Sequence, residues 1–348
     1  MIGASRCVAF AVRTLMPLAL AMLTTSCEKS SPFVPKPAPN LDIVDWPYDF
    51  SSDGKYLIYR HRPARDRIGG VYMLATAKDS TPTLLFADSL PYFASECRFS
   101  PDRSKIAYVR DFLSDIYVLD LGSGTDTRVT FTNGNARAPD WDPSGRYIVY
   151  MRVFLDFGMP DSTAGLHIVD TETFTDLSLR AQGIPIFGSN PRWSPDGSLI
   201  AYSVQTRITA ADSPTPNHVH VARTDGAGKT DITPGDLHNN EFPDWISGGA
   251  EIIFESSYVS HVTQIIGRDG SGRRVAPVDI RPYVFYAAVS PATGQCVYTG
   301  PDSASVYGVV LLRSLNDPQG LTTRQLTTYD PPESYSASSE PHVASSRH

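Results

Sequence analysis

Cysteine is scarce, at four in 348 residues, and no two of them form a CxxC pair or join histidines at metal-ligand spacing. A zinc centre, a dithiol redox site and a disulfide-built fold all lack their raw material. Charge is also low, at 19%, and acidic residues outnumber basic ones by 37 to 30, so the basic footprint of a nucleic-acid binder is missing. After residue 23 no apolar run is long enough to span a bilayer as a helix. There is no GxSxG elbow, P-loop, dinucleotide fingerprint, EF-hand loop or HExxH. The sequence assigns no catalytic residue, and no metal or cofactor is expected.

What is present begins with a targeting pattern. Arg6 and Arg13 flank an apolar stretch, "LMPLALAML" (15 to 23), followed by "TTSC" ending at Cys27. This is similar to a bacterial lipoprotein signal, in which the cysteine becomes a lipid-bearing N-terminus. Leu23 lies one place further from the cysteine than the usual large apolar residue, so an ordinary secretory signal cut nearby is the alternative. The expected organisation is a signal peptide at 1–26, a Pro/Ser-rich extended tether at 27–40, a folded region at 41–330 and a disordered polar tail at 331–348. The chain is expected to be exported and held to a bacterial membrane by lipid at Cys27, facing the periplasm or cell surface. Only Cys97 and Cys296 fall in the folded region, and two buried free thiols are favoured over one disulfide.

The folded region repeats itself. The units read "YDFSSDGKYLIYR" from 48, "CRFSPDRSKIAYVR" from 97, "PDWDPSGRYIVYMR" from 139, "PRWSPDGSLIAYSV" from 191, "PDWISGGAEIIFES" from 243 and "AAVSPATGQCVYTG" from 287. The anchor residues Phe50, Phe99, Trp141, Trp193, Trp245 and Val289 recur at intervals of 42 to 52 residues. Each unit alternates with period two and reads strand, tight turn, strand, loop, strand, tight turn, strand. These motifs resemble the TolB-like β-propeller repeat, with its "WSPDG" turn, "IYV.D" strand and D-G-x-G turn. The resemblance covers residues 45 to 330 and implies an all-β fold, a six-bladed β-propeller of four-stranded antiparallel blades. Closure of the ring is left open, because repeat six has its own outer strand (324 to 328) while "LDIV" (41 to 44) competes for the same place.

Turn chemistry accounts for the most distinctive residues. Asp53, Asp102 and Asp196 are expected to bond locally inside the turn, while Gly54, Gly145 and Gly197 supply positive φ. Trp141, Trp193 and Trp245 are expected to pack between neighbouring blades. The residue before each anchor alternates in sign, Asp49, Arg98, Asp140, Arg192, Asp244, before Ala288 breaks the series. These five are expected to form inter-blade ion pairs near the channel. His218 and His220 share a strand face, a spacing that suits a metal, but His220 and His167 occupy an ordinary blade slot shared with Tyr72, Tyr117 and Gln264.

The tight turns all fall at one end of the ring, so function is expected at the other. Long loops there (61–70, 153–165, 205–217) and the approaches at 132–139, 236–243 and 281–288 exceed what a hairpin needs. Asn135, Arg137, His238, Asn239, Glu241 and Tyr283 are the candidate binding residues at the channel mouth. Arg60, His61, Arg62, Arg65 and Arg67 form one basic stretch. The expected function is a membrane-anchored scaffold, a monomeric ring binding a protein or peptide of the cell envelope, without catalysis or nucleic acid. The alternative is a carbohydrate or other small-ligand protein or enzyme using the channel, which would cluster His238 and Glu241 with a further carboxylate or imidazole. TolB proteins also carry an N-terminal α/β domain, for which the segment 28–40 leaves no room, so a Tol-Pal role is not implied.

Overall fold

The computed structural model describes residues 44–62, 69–88, 94–110, 115–132, 135–153, 164–205, 216–257, 261–276, 287–301, 308–316 and 323–327. The signal peptide, Cys27, the tether, Tyr283, Arg65, Arg67, most of the three long loops and the tail lie outside them.

Blade 1 is β1 (Val44–Phe50), β2 (Tyr56–Arg62), β3 (Gly70–Ala75) and β4 (Thr83–Ala87); blade 2 is β5 (Ala94–Phe99), β6 (Lys105–Arg110), β7 (Ile116–Asp120) and β8 (Asp126–Arg128). Blade 3 is β9 (Ala136–Trp141), β10 (Tyr147–Arg152), β11 (Gly165–Asp170) and β12 (Asp176–Ser178), followed by a small hairpin, β13 (Arg180–Ala181) and β14 (Ile184–Pro185). Blade 4 is β15 (Ser189–Trp193), β16 (Leu199–Gln205), β17 (Asn217–Arg223) and β18 (Thr230–Asp231); blade 5 is β19 (Asn239–Ile246), β20 (Glu251–Ser257), β21 (His261–Gly267) and β22 (Arg274–Val275). Blade 6 is β23 (Ala287–Val289), β24 (Gln295–Pro301), β25 (Gly308–Ser314) and β26 (Arg324–Gln325). Within each blade the strands pair antiparallel in chain order.

A single blade cannot bury both of its faces, so the apolar core is divided among the junctions. One cluster lies at each: Ile58, Val71, Phe99 and Ile106 between blades 1 and 2; Val118, Trp141 and Tyr150 between 2 and 3; Leu166, Ile200 and Tyr202 between 3 and 4; Val221, Trp245 and Phe254 between 4 and 5; Ile253, Val289 and Tyr298 between 5 and 6; and Phe50, Leu57, Val297 and Val310 between 6 and 1. The last cluster closes the ring. Blade 6 keeps its own outer strand, β26, while Val44 meets Gly308 in a parallel bridge. The Thr299 hydroxyl donates to the Asp45 carbonyl at 2.8 Å and the Ser290 hydroxyl to the Ser52 carbonyl at 2.7 Å.

The turns between first and second strands follow one scheme. In blade 4 the Ser194 hydroxyl donates to Asp196 Oδ1 at 2.6 Å and accepts the Leu199 N–H at 2.9 Å, while Gly197 takes φ +75°. Ser51 with Asp53 and Ser100 with Asp102 repeat it; blade 3 exchanges the roles, Ser144 donating to Asp142. These turns also stack around the ring. The glycines Gly145, Gly197 and Gly249 sit on the turn prolines of the preceding blade, Pro101, Pro143 and Pro195, leaving 3.6, 3.7 and 3.2 Å for an added Cβ. Blade 5 has Ser247 where the proline belongs. At that junction the Gly248 N–H donates to the Pro291 carbonyl at 3.3 Å instead, and a cleft of about 490 Å³ opens there, lined by Gly248, Glu251, Arg274, Thr293 and Asn316 among others.

Cys97 and Cys296 are free and buried, in blades 2 and 6. Burial pushes both thiols up, Cys296 to about 12. Part of the basic stretch is strand and not loop: Arg60 pairs with Asp88 at 2.7 Å, and buried His61 with buried Asp45 at 2.6 Å.

Candidate functional site

The first strand of each blade lines the axis, and the residue before each anchor faces it. Arg98 Nη1 lies 3.1 Å from Asp49 Oδ1. The other expected ion pairs do not form. Arg192 has no carboxylate within ion-pairing range among the described residues, and Asp140 instead accepts the Trp193 N–H at 2.7 Å. The alternation of sign has a different origin. Asp49, Asp140 and Asp244, in blades 1, 3 and 5, accept the anchor N–H of the following blade, from Phe99, Trp193 and Val289. In blades 2 and 4 the stitch keeps that direction but uses other groups: the carbonyls of Arg98 and Arg192 accept the indole N–H of Trp141 at 3.3 Å and of Trp245 at 3.0 Å. Two blades thus form the true repeating unit. At the last position the residue is Ala288, and its following anchor, Phe50, has no indole to donate.

Burial dominates the electrostatics of this ring. It raises the Asp49 carboxyl, with Arg98 opposing, and raises Asp140 well above the ordinary range. It pushes Asp244 up to about 7 against the pull of Arg98. For Arg98 burial acts downward, but the carboxylates of Asp49, Asp140 and Asp244 outweigh it and hold the guanidinium charged.

Above this ring the inner strands share a second feature. Glu96, Ala138, Asn190 and Phe242 each lie three residues before their anchor, and each has left-handed backbone, with φ between 50 and 53°. Each coincides with a register shift against the second strand. Proline follows three of them, Pro139, Pro191 and Pro243, and removes the N–H that regular pairing needs. The Glu96 carboxylate accepts the Ala138 N–H at 2.6 Å across the blade junction, and Phe242 is 40% exposed.

The described candidate residues divide into three groups. Asn135 and Arg137 belong to blade 3, where Asn135 N donates to Thr132 and its buried side-chain oxygen has no partner. Asn239 and Glu241 gather at the blade 4 to 5 junction: Asn217 donates its N–H to Asn239 Oδ1 at 3.0 Å and its amide to Glu241. His238 belongs to a separate set centred on Asp236, which meets the His238 ring at 2.6 Å, the Asn240 amide at 3.0 Å and Arg273 at 2.6 Å. Burial acts to raise Asp236, yet these bonds win and hold it well below the usual carboxylate range. Asp236, Asn217, Glu96 and Asn190 escape a reading of sequence alone. Only the proline after each bulge signals where the strand departs from regularity.

The strand-face histidines are engaged within the fold. His218 contacts Asp231 at 2.7 Å through Nδ1 and the Asp236 carbonyl at 2.8 Å through Nε2, so neither nitrogen is free for a metal. His220 stacks on Tyr202 at 5.8 Å, and burial pushes it down to about 4, keeping the ring neutral near pH 7. Among the described residues no three His, Cys, Asp or Glu side chains are arranged to hold a metal.

Ring, repeat and turn together define a TolB-like six-bladed propeller. The propeller of Acinetobacter baumannii TolB superposes with a TM-score of 0.60 at 16% identity, over 76% of this chain and 62% of that one. A putative TolB of Agrobacterium tumefaciens gives 0.51 at 21% identity, over 67% and 80%. An uncharacterized protein of Agrobacterium fabrum is 29% identical over 38% of this chain and 60% of its own length, so the chain spans less than two thirds of that relative. No family model matches the sequence.

Proposed function

We propose that the protein is a non-catalytic binding scaffold of the cell envelope, anchored by lipid at Cys27, that holds a protein or peptide partner over the channel mouth at its loop-rich end. The observation that carries this reading is the level set of left-handed bulges at Glu96, Ala138, Asn190 and Phe242. Non-glycine residues in that region cost free energy, and such strain concentrates where a site must be held in shape. A rigid ring with bulged strands at one mouth offers fixed backbone polar groups and an exposed Phe242 to an incoming segment. Likeness of fold to TolB supports an envelope setting.

The test is capture from envelope extracts. Wild type should retain a partner that a Phe242→Ala variant, or one shortened in loops 153–165 and 205–217, loses by about tenfold, the effect of removing one interface anchor. Equal capture by all three forms would remove the mouth as the binding surface.

A further inference from the structure

Arg192 is 9% exposed. It occupies in blade 4 the position that Arg98 holds in blade 2, where the side chain senses Asp49, Asp140 and Asp244 from three other blades. That position faces the axis. Arg98 has its counter-charge in Asp49 at 3.1 Å, whereas Arg192 donates from Nη1 to the Pro191 carbonyl at 2.9 Å and its buried Nε has no partner among the described residues. Register places Arg192 opposite Ala201, so Ser203, two residues on, lies on the same sheet face. The Ser203 hydroxyl is also buried and has no partner among the described residues. A buried cation without a counter-ion is costly and is retained where something supplies one.

We propose that Arg192 is the receptor for a carboxylate that the partner presents into the channel, an assignment that rests on the binding role proposed above. The guanidinium fork matches a planar carboxylate with paired N–H donors, and the Ser203 hydroxyl is a further donor on the same sheet face. Asp140 lies beyond ion-pairing range of Arg192, and its carboxylate accepts the Trp193 N–H at 2.7 Å. The partner segment therefore carries an aspartate, a glutamate or a free C-terminus at its tip.

The experiment uses the full-length chain in detergent and two probes, sodium acetate and inorganic phosphate, at constant ionic strength. Acetate should move the Arg192 Nε–H resonance saturably in wild type and raise the unfolding temperature, and Arg192→Lys should lose the thermal response. A saturable response to phosphate with none to acetate overturns the carboxylate assignment in favour of a phosphate. No saturable response to either, or an undiminished thermal response in Arg192→Lys, overturns the site. The resonance is read in wild type, so the outcome stands even where Arg192→Lys folds poorly. A wild type that captures an envelope partner yet ignores acetate sinks this assignment alone and leaves the scaffold reading in place.

Discussion

At the scale of single residues, one amino-acid type does opposite work in two settings. Asp196 and Asp102, in exposed turns, are hydrogen-bonded by neighbouring serines and held well below the ordinary carboxylate range, Asp102 at about 2. Asp244 accepts the backbone N–H groups of Trp245 and Val289, yet burial outweighs them and lifts it to about 7. The consequence for stability has a definite sign. Between the ordinary value of 3.8 and about 7, the folded state holds a proton that the unfolded state has released. Stability from this group is thus complete at low pH and is lost as pH rises through the folded value. Asp244→Asn keeps an acceptor for the Trp245 N–H and never ionises. It should stabilise the protein by roughly 1–3 kcal/mol at pH 8 and change little at pH 4, measured by urea unfolding at both. A larger gain at pH 4 would contradict the buried-charge account.

At the scale of elements, the clearest contrast is between two glycines of equal conformation. Gly124 has φ +70° with nothing within 4 Å of an added Cβ, whereas Gly226 has φ +82° and its Cβ would meet the Arg180 carbonyl at 2.0 Å. The β13–β14 hairpin rests on that second turn. Gly124→Ala should cost about 1 kcal/mol, the backbone penalty alone. Gly226→Ala should cost about 2–4 kcal/mol, because the hairpin must also shift; chemical denaturation of the two variants separates strain from packing. Strands, turns and blade count were legible in the sequence because each is written within about fifteen consecutive residues, as in "WSPDGSLIAYSV". The channel was not. Its bonds join residues some fifty positions apart, such as the Asp49 carboxylate and the Phe99 N–H, and alternation of sign alone does not distinguish an ion pair from a carboxylate that caps a neighbouring strand. Arg98 and Arg192 look equivalent in the repeat, and only the fold shows that one is paired and the other is not. The bulges escaped for a related reason: period-two reading assumes a regular strand, and a left-handed residue breaks the period without altering composition.

At the scale of the whole molecule, the direction of β1 links the tether to the mouth. Val44 pairs with Arg62 at the end of β2 that leads into the 61–70 loop, and the chain then runs down to the tight turn at Ser51. The folded region is therefore entered at its loop-rich end. A lipid on Cys27 would pull on that end, with 16 residues between the cysteine and Val44 able to reach at most about 60 Å. The binding face would be turned toward the membrane that holds the anchor, and the partner would be met close to that surface. Two variants test the geometry. Cys27→Ala should release the protein from membranes while leaving its unfolding temperature unchanged. Deleting residues 30–40 should keep it membrane-bound and folded but reduce capture of a membrane-adjacent partner by about tenfold or more, since a tether too short to span its sites loses its effective concentration. Capture that is indifferent to tether length would place the binding face away from the membrane and detach the anchor from the function of the mouth.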